Sequence, residues 1–295
     1  MLAMEFPSVS FSTEEAIAAQ PSTDNVEASV RLFAEHGAVR LLNVFSEGFR
    51  ARLREHYMSR YRLEMEATRQ ADKRPLFTVD VEGPVAEEAY LVNGLLAPIL
   101  ERLLGEDFVL GAVSTVISFP GAPQQFVHRD SPSLYGDYSI DSMLPAYALT
   151  TLIPMVDANA ETGSTRVWLG SHRLADADKR ETRPSASPDV PFGSMLMTDS
   201  RVLHCGSPNQ SERVRPLLYN TYHRNWFRDY SGYERRQAVS ISGKARALMP
   251  AHLRRRFRIA DEANGQPEGP LPFPGLLANA LPGGLQKLVV GRRSI

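Results

Sequence analysis

Between Phe108 and Tyr222 the chain divides into eight short β-prone runs: Phe108–Leu110, Val113–Phe119, Gln125–His128, Ala146–Met155, Arg166–Leu169, Ser194–Thr198, Arg201–His204 and Leu217–Tyr222. Gly, Pro, Asn and Asp separate them, residues that supply turn geometry and interrupt hydrogen-bonded ladders. Many short strands punctuated by turns indicate a β-sandwich or barrel, with the jelly roll (cupin-like) prominent among the forms that fit. No fixed-period repeat or low-complexity tract competes with this reading.

The residues before this region have a different texture. Thr13–Ala19 suits a short helix, and Val26, Val30, Leu32 and Phe33 give Asn25–His36 an amphipathic helical face that stops at Gly37. A strand is expected over Ala38–Val44, a longer helix from Ser46 to about Arg69, and another over Leu91–Leu104. The fold class expected is therefore mainly β with flanking helices. One domain over 1–295 accounts for it: a mainly helical N-terminal layer (1–105), a jelly-roll core (106–228) and a peripheral C-terminal segment (229–295). That last segment holds a Tyr- and Arg-rich stretch, a Pro/Gly-rich linker at Gly265–Pro274, a candidate terminal helix and a basic end at Arg292-Arg293.

Charge excludes some partners. The formal net charge is −1 and the sequence pI about 6.7, so nothing global points to nucleic acid or an anionic membrane. The charge is uneven, however: Arg201–Arg258 holds 13 Lys and Arg against 3 Asp and Glu, enough for an anionic ligand to use. The single cysteine, Cys205, allows no intramolecular disulfide and is expected to be a small packed residue. The first residues lack a basic region followed by an apolar core, and no run reaches the length of a membrane span. A soluble, cytoplasmic protein is the expectation.

The chemistry concentrates at Gln125-Phe126-Val127-His128-Arg129-Asp130. On an extended chain positions i and i+2 share a face, so His128 and Asp130 project together and Arg129 points away. His204, after the apolar pair Val202-Leu203, is the best third ligand; two histidines and a carboxylate on one face of a metal form the facial triad of non-haem Fe(II) oxygenases. Taken alone, His-x-Asp also fits a hydrogen-bonded surface histidine followed by a turn aspartate. His-Arg-Asp opens the protein-kinase catalytic loop too, but that loop needs Asn five residues after the Asp, where Tyr135 stands. Arg215, eleven residues after His204, could enter the same pocket and clamp a carboxylate with two parallel charge-assisted bonds. His172, after Gly170-Ser171, reads better as a loop support than as a fourth ligand. Tyr222, His223 and Trp226 are candidates for the substrate mouth, equally explained by core packing, and Arg254-Arg255-Arg256 reads as a solvated helix face.

In order and spacing, His128-Arg129-Asp130, Glu161 to Val167, Gly170-Ser171-His172, His204 with Asn209, and Arg215 resemble the phytanoyl-CoA dioxygenase family of Fe(II)- and 2-oxoglutarate-dependent oxygenases. The resemblance covers roughly Phe33–Phe227. Gln125 and Thr165 are similar to the residues that contact 2-oxoglutarate in the branch containing fumitremorgin-type endoperoxidases and meroterpenoid dioxygenases. The resemblance implies a double-stranded β-helix, Fe(II) held by His128, Asp130 and His204, and 2-oxoglutarate contacted by Gln125, Thr165 and Arg215. It implies consumption of dioxygen, release of succinate and CO2, and C–H oxidation of a small metabolite. Chlorination is not implied, because Asp130 fills the position that is Gly in related halogenases. Some relatives are homodimers, which the resemblance extends to this chain as an expectation.

Three positions depart from the family pattern. Leu169 stands where Pro usually precedes Gly-Ser-His. Thr150, Thr151 and Leu152 occupy a stretch where many members carry an aromatic residue. Gly206 replaces a hydroxyl residue, with Ser207 the nearest substitute. Two other readings remain at this level: a jelly-roll isomerase or hydrolase using Zn or Mn without 2-oxoglutarate, and a non-catalytic β-sandwich binding protein.

Overall fold

The computed structural model describes residues 5–69, 72–131, 133–136, 138–228 and 239–258. The Tyr- and Arg-rich stretch at 230–236, the Pro/Gly-rich linker, the terminal helix and the basic end lie outside the described residues. Strand β1 (Ser8–Ser10) and helix α1 (Thr13–Ala18) lead into α2 (Thr23–His36) and β2 (Ala38–Leu42). Ser12 and Glu15 cap α1 reciprocally, and the Ser22 hydroxyl accepts from the Asn25 amide at the start of α2. Gly37 ends α2 with a left-handed φ of 72°, and a Cβ there would also sit 2.4 Å from Nδ1 of His172. Two independent constraints thus require glycine at this position.

His172 is the loop support that its place after Gly170-Ser171 suggests. Its ring is buried, Nε2 faces the Ala34 carbonyl at 3.3 Å, and burial holds its pKa down to about 4. The sign of the resulting pH dependence follows from which state protonates first. The unfolded chain takes up this proton near pH 6.5 and the folded one only near 4, so stability present above 6.5 is lost as pH falls through that window. Acid titration of the melting transition should show a loss of up to about 3 kcal/mol from this group. A His172→Gln variant should lose that part of the slope; an unchanged slope would place the proton uptake elsewhere.

The helix expected from Ser46 to Arg69 is two helices, α3 (Glu47–Arg60) and α4 (Arg62–Thr68). Tyr61 leaves helical geometry between them, at φ −106° and ψ 13°. Its ring packs against Tyr57 and Phe77 and its hydroxyl accepts from the Asp80 amide, contacts that an unbroken helix would not reach. Leu91–Leu104 is likewise divided, into the end of α5 (Glu88–Leu91) and α6 (Ala97–Leu104). Asn93 turns the chain by accepting from the Leu95 amide, and Gly94 lies so close to α1 that a Cβ would be 2.1 Å from the Ala19 carbonyl oxygen.

The remaining strands are β3 (Leu76–Thr78), β4 (Val109–Ser118), β5 (Ala148–Pro154), β6 (Thr165–Trp168), β7 (Ser185–Ala186), β8 (Met195–Asp199), β9 (His204–Gly206) and β10 (Arg215–His223). Helix α7 (Tyr138–Asp141) lies between β4 and β5, and α8 (Gly243–Leu248) and α9 (Ala251–Arg254) follow β10. The major sheet runs β1-β2-β8-β5-β10-β4-β3 and the minor sheet β7-β6-β9, antiparallel except for β1 with β2. Both sheets contribute walls to one cavity, and together they form the jelly roll. Two expected runs, Phe108–Leu110 and Val113–Phe119, are largely one strand, β4. Gln125–His128 forms no named strand; it lies extended beside β9 and makes a single antiparallel bridge, His128 with His204.

Alternation along β10 assigns each residue to a layer. Arg215, Leu217, Tyr219, Thr221 and His223 line the cavity, whereas Leu218, Asn220 and Tyr222 face the helices. The Tyr90 hydroxyl bonds to Asn220, and the Tyr222 hydroxyl donates to the Leu91 carbonyl. The reading of 229–295 as peripheral does not hold for residues 239–258. Val239, Met249, Leu253 and Phe257 are buried in the main core, and the Val81 amide donates to Ser240. Arg256 is not a solvated helix residue either: it is buried, stacked over Phe108 at 3.7 Å and bonded to the Glu106 and Phe108 carbonyls. Among the described residues no helix is long and apolar enough to cross a membrane.

Candidate metal centre

His128, Asp130 and His204 come together in the cavity, with one potential ligand atom from each lying within 4.8 Å of the others. Backbone pairing holds the set: the His128 and His204 amides donate to each other's carbonyls at 3.0 Å, and the Asp130 amide donates to Ser200. Each imidazole is oriented by the carbonyl two residues before it. Nδ1 of His128 donates to Phe126 at 2.9 Å and Nδ1 of His204 to Val202 at 3.1 Å. A carbonyl can only accept, so both rings carry their proton on Nδ1 and offer Nε2. Those two Nε2 atoms lie 3.8 and 3.4 Å from Oδ1 of Asp130. Arg129 turns away, as its place between His128 and Asp130 requires, and donates to the Arg201 and Leu174 carbonyls.

The electrostatics suit a cation. Burial tends to raise the Asp130 pKa but is outweighed by His204, His128 and the Thr150 hydroxyl, leaving it below the ordinary carboxylate value. Burial, then the neighbouring His204, lowers His128; at His204 burial is outweighed by Asp130 and the pKa rises. The cluster thus combines an ionised carboxylate with two imidazoles of fixed orientation. Thr150 belongs to it, because its hydroxyl donates to Oδ2 of Asp130 at 3.0 Å. From sequence this residue stood out only as a departure from an aromatic position. Thr150→Val keeps the shape and removes the bond, and should weaken Fe(II) affinity about tenfold in an anaerobic titration. An unchanged affinity would show that Thr150 does not orient the carboxylate.

Gln125, Thr165 and Arg215 line the same cavity. The Gln125 side-chain oxygen accepts from the Gly206 amide at 3.1 Å, and Thr165 pairs with Gly206 in the β6–β9 ladder. Arg215 is 2% exposed and donates to the Gly163 carbonyl at 2.9 Å through Nη2. Burial, then the like charge of Arg74, lowers its pKa to about 9, and no described carboxylate pairs with it. Arg74, which carries no sequence signal, also lines the cavity and spends Nη2 on the Pro123 and Ser207 carbonyls. It lies against Gly206, where a Cβ would be 2.7 Å from Nη1 of Arg74 and would have to displace the guanidinium. Ser207 does not stand in for the missing hydroxyl: it faces Ser187 and is absent from the cavity lining.

Of the three substrate candidates only His223 reaches the cavity. Tyr222 occupies the opposite face of β10, in the helix-facing core, and Trp226 is half exposed against Tyr147 and Phe227. Cys205 is buried with Trp168 and Leu203, a packed residue as expected. The basic stretch 201–258 is divided in its described part: Arg201, Arg215 and Arg256 are buried, whereas Arg213, Lys244, Arg254, Arg255 and Arg258 are exposed. Arg201 pairs with Asp199 at 2.7 Å, and Arg224 and Arg256 serve backbone carbonyls.

The model of the phytanoyl-CoA dioxygenase family matches residues 33–217. The chain belongs to that family. Similar curated proteins include the Fe(II)/2-oxoglutarate-dependent dioxygenase nvfF of Aspergillus novofumigatus, 26% identical over 49% of this chain and 49% of that protein. The iron/alpha-ketoglutarate-dependent dioxygenase ausU of Aspergillus calidoustus is 32% identical over 34% of each chain. The chain spans about half the length of the first of these curated relatives that it matches. Among solved structures, the epimerase SnoN in complex with Fe3+, alpha ketoglutarate and nogalamycin RO covers 68% of this chain and 84% of its own at 16% identity, with a TM-score of 0.54. AviO1 from Streptomyces viridochromogenes covers 69% of this chain and 97% of its own at 22% identity, with a TM-score of 0.52. These two structures share the family member's fold.

Proposed function

We propose that this phytanoyl-CoA dioxygenase family member is an Fe(II)- and 2-oxoglutarate-dependent dioxygenase that oxidises a C–H bond of a small natural product. One observation carries the reading: a three-residue cluster able to hold a metal and a buried guanidinium without a carboxylate partner among the described residues open into the same cavity of about 220 Å3. A buried, uncompensated cation is costly, and a dicarboxylate cosubstrate offsets that cost. The residues present therefore fit both groups. His128, Asp130 and His204 would hold the iron; Arg215 would bind one carboxylate of 2-oxoglutarate, with Gln125, Thr165 and Arg74 beside it. When bound, iron and 2-oxoglutarate supply the oxidising power: dioxygen is consumed, 2-oxoglutarate becomes succinate and CO2, and one oxygen atom serves C–H oxidation.

The chain's own part is to bind, orient and shield. The Phe126 and Val202 carbonyls fix the imidazole tautomers, Thr150 orients Asp130, and the two sheets enclose the site. With Asp130 present, the carboxylate position is filled, which favours hydroxylation, desaturation or a related oxidation over halogen transfer. The names of the curated relatives support the cosubstrate, and the nogalamycin-bound neighbour supports a small-molecule substrate.

The test is anaerobic reconstitution with Fe(II) and 2-oxoglutarate. A visible metal-to-ligand charge-transfer band, followed by succinate release on admitting air, is the expected result. Fully metallated protein without the band would overturn the 2-oxoglutarate assignment and favour a jelly-roll hydrolase or isomerase.

A further inference from the structure

Two residues that line the cavity each carry a buried hydrogen-bonding atom with no partner among the described residues: Oγ1 of Thr221 and Nδ1 of His223. Both side chains are deeply buried, at 8% and 4% exposure. Buried polar atoms are seldom left unused, so two of them on residues that line one cavity point to a ligand. Their position relative to the metal ligands follows from strand register. Thr221 stands opposite Thr150 and His223 opposite Ala148 in the β5–β10 ladder, and Thr150 is the residue bonded to Asp130. Arg215 begins the same strand, about 26 Å from His223 for an extended run. The unpaired groups thus lie near the triad, at the end of β10 away from the Arg215 pocket.

The imidazole has a built seat. Between Thr221 and Tyr222 the β10–β4 register slips past Gly111, so β4 bulges beneath the ring. A Cβ on Gly111 would lie 2.2 Å from Cε1 of His223, so only glycine leaves room for the ring there. Phe227 closes the other side edge-on, with ring centroids 5.0 Å apart. Burial, then the charge of Arg228, lowers the His223 pKa to about 3, so the ring is neutral and keeps one N–H and one lone pair.

The surroundings specify the ligand's chemistry. The apolar lining is Ala148 and Leu149 at this end of the cavity, continued by Leu152, Val116 and Leu217 toward Arg215. The cations among the described lining residues are Arg74 and Arg215, which serve the other end, while Asp130 adds a negative charge close by. Arg228 is not part of that lining, and its Nη1 bonds to the Asn225 and Phe227 carbonyls. An anionic group at this end would meet a carboxylate and a neutral imidazole. A hydroxyl or carbonyl would meet a donor and an acceptor.

We infer that His223 and Thr221 form a substrate-orienting site for a neutral oxygen function, a hydroxyl or carbonyl on an otherwise apolar small molecule. The identification of that molecule as substrate rests on the dioxygenase reading; the site itself rests on the wall geometry. The test uses four compact probes on one carbon skeleton: camphor, borneol, bornyl chloride and camphorsulfonate. Their Kd values are measured by calorimetry on the full chain reconstituted anaerobically with Fe(II) and 2-oxoglutarate. His223→Leu and Thr221→Val should each weaken camphor and borneol about fivefold and leave bornyl chloride unchanged. Gly111→Ala should act like His223→Leu by displacing the ring, and camphorsulfonate should bind wild type at least fivefold more weakly than camphor.

Thr221→Val keeps side-chain shape, so it carries the test if His223→Leu does not fold. Equal losses for all probes, no binding of any neutral probe at millimolar concentration, or camphorsulfonate as the tightest ligand each overturn the assignment. The charge-transfer band is read in the same wild-type samples. Oxygen-selective binding without the band overturns the dioxygenase reading alone, and the band without oxygen selectivity overturns this site alone.

Discussion

Asp130→Ala should lower Fe(II) affinity at least about 100-fold and reduce succinate formation to the background of free iron. Three observations set this expectation. Asp130 is the one carboxylate in the cluster, it lies within 3.8 Å of both Nε2 atoms, and Thr150 aims it. Removing it leaves two imidazoles, a set with one ligand fewer and no negative charge to offset a divalent ion. The fold should survive, because the bridge between His128 and His204 is made by backbone atoms. Anaerobic iron titration and the melting temperature separate the two effects. An iron affinity within a few-fold of wild type would remove Asp130 from the metal site, and a collapse of the melting transition with no metal effect would support the binding-protein reading instead.

Arg215→Met should weaken 2-oxoglutarate about 100-fold, read as the concentration needed to form the charge-transfer band. Its second consequence distinguishes a ligand-binding arginine from a structural one. In the ligand-free chain Arg215 is a buried charge whose pKa is pulled down to about 9 by burial and by Arg74, with backbone carbonyls as its only described partners. Replacing such a charge by an apolar side chain of similar length often leaves stability unchanged or raises it. The melting temperature of Arg215→Met without cosubstrate should therefore hold or increase while cosubstrate affinity falls. A structural arginine would give the reverse: lost stability and retained affinity.

The jelly-roll strands were legible because their signals are local. Turn residues bound them, and period-two patterning survives in a single chain read alone. His128 and Asp130 were legible as a pair for the same reason, since i and i+2 on extended chain share a face whether or not a named strand forms. The same rule, applied at the other end of β10, separates His223 from Tyr222: adjacent residues cannot both enter the cavity, and Tyr222 donates to Leu91 in the helical layer. Helix breaks at Tyr61 and at Asn93-Gly94 were not legible. They answer to contacts with Phe77, Asp80 and Ala19, which are distant or unforeseeable from the local pattern.

Arg74, Thr150 and Thr221 illustrate what one sequence withholds. Arg74 precedes Gln125 by about fifty residues in an otherwise ordinary charged stretch, and only the tertiary structure brings its guanidinium against Gly206 and into the cavity lining. Thr150 and Thr221 meet because β5 and β10 pair in one particular register. Arg256 shows the converse: a run of three arginines reads as solvated, yet the middle of the core accepts the third through two carbonyls and the face of Phe108.

By itself the sequence determined the fold class, the family pattern and the candidate ligand set, because each is written in residue type and short-range spacing. Which groups share a wall, which lining arginine has no carboxylate among the described residues, and which lining imidazole keeps a nitrogen without a described partner were decided by the tertiary structure. Those properties depend on strand register and on close approach between segments far apart in the chain, and burial converts them into chemistry by removing the water that would otherwise satisfy every polar group alike.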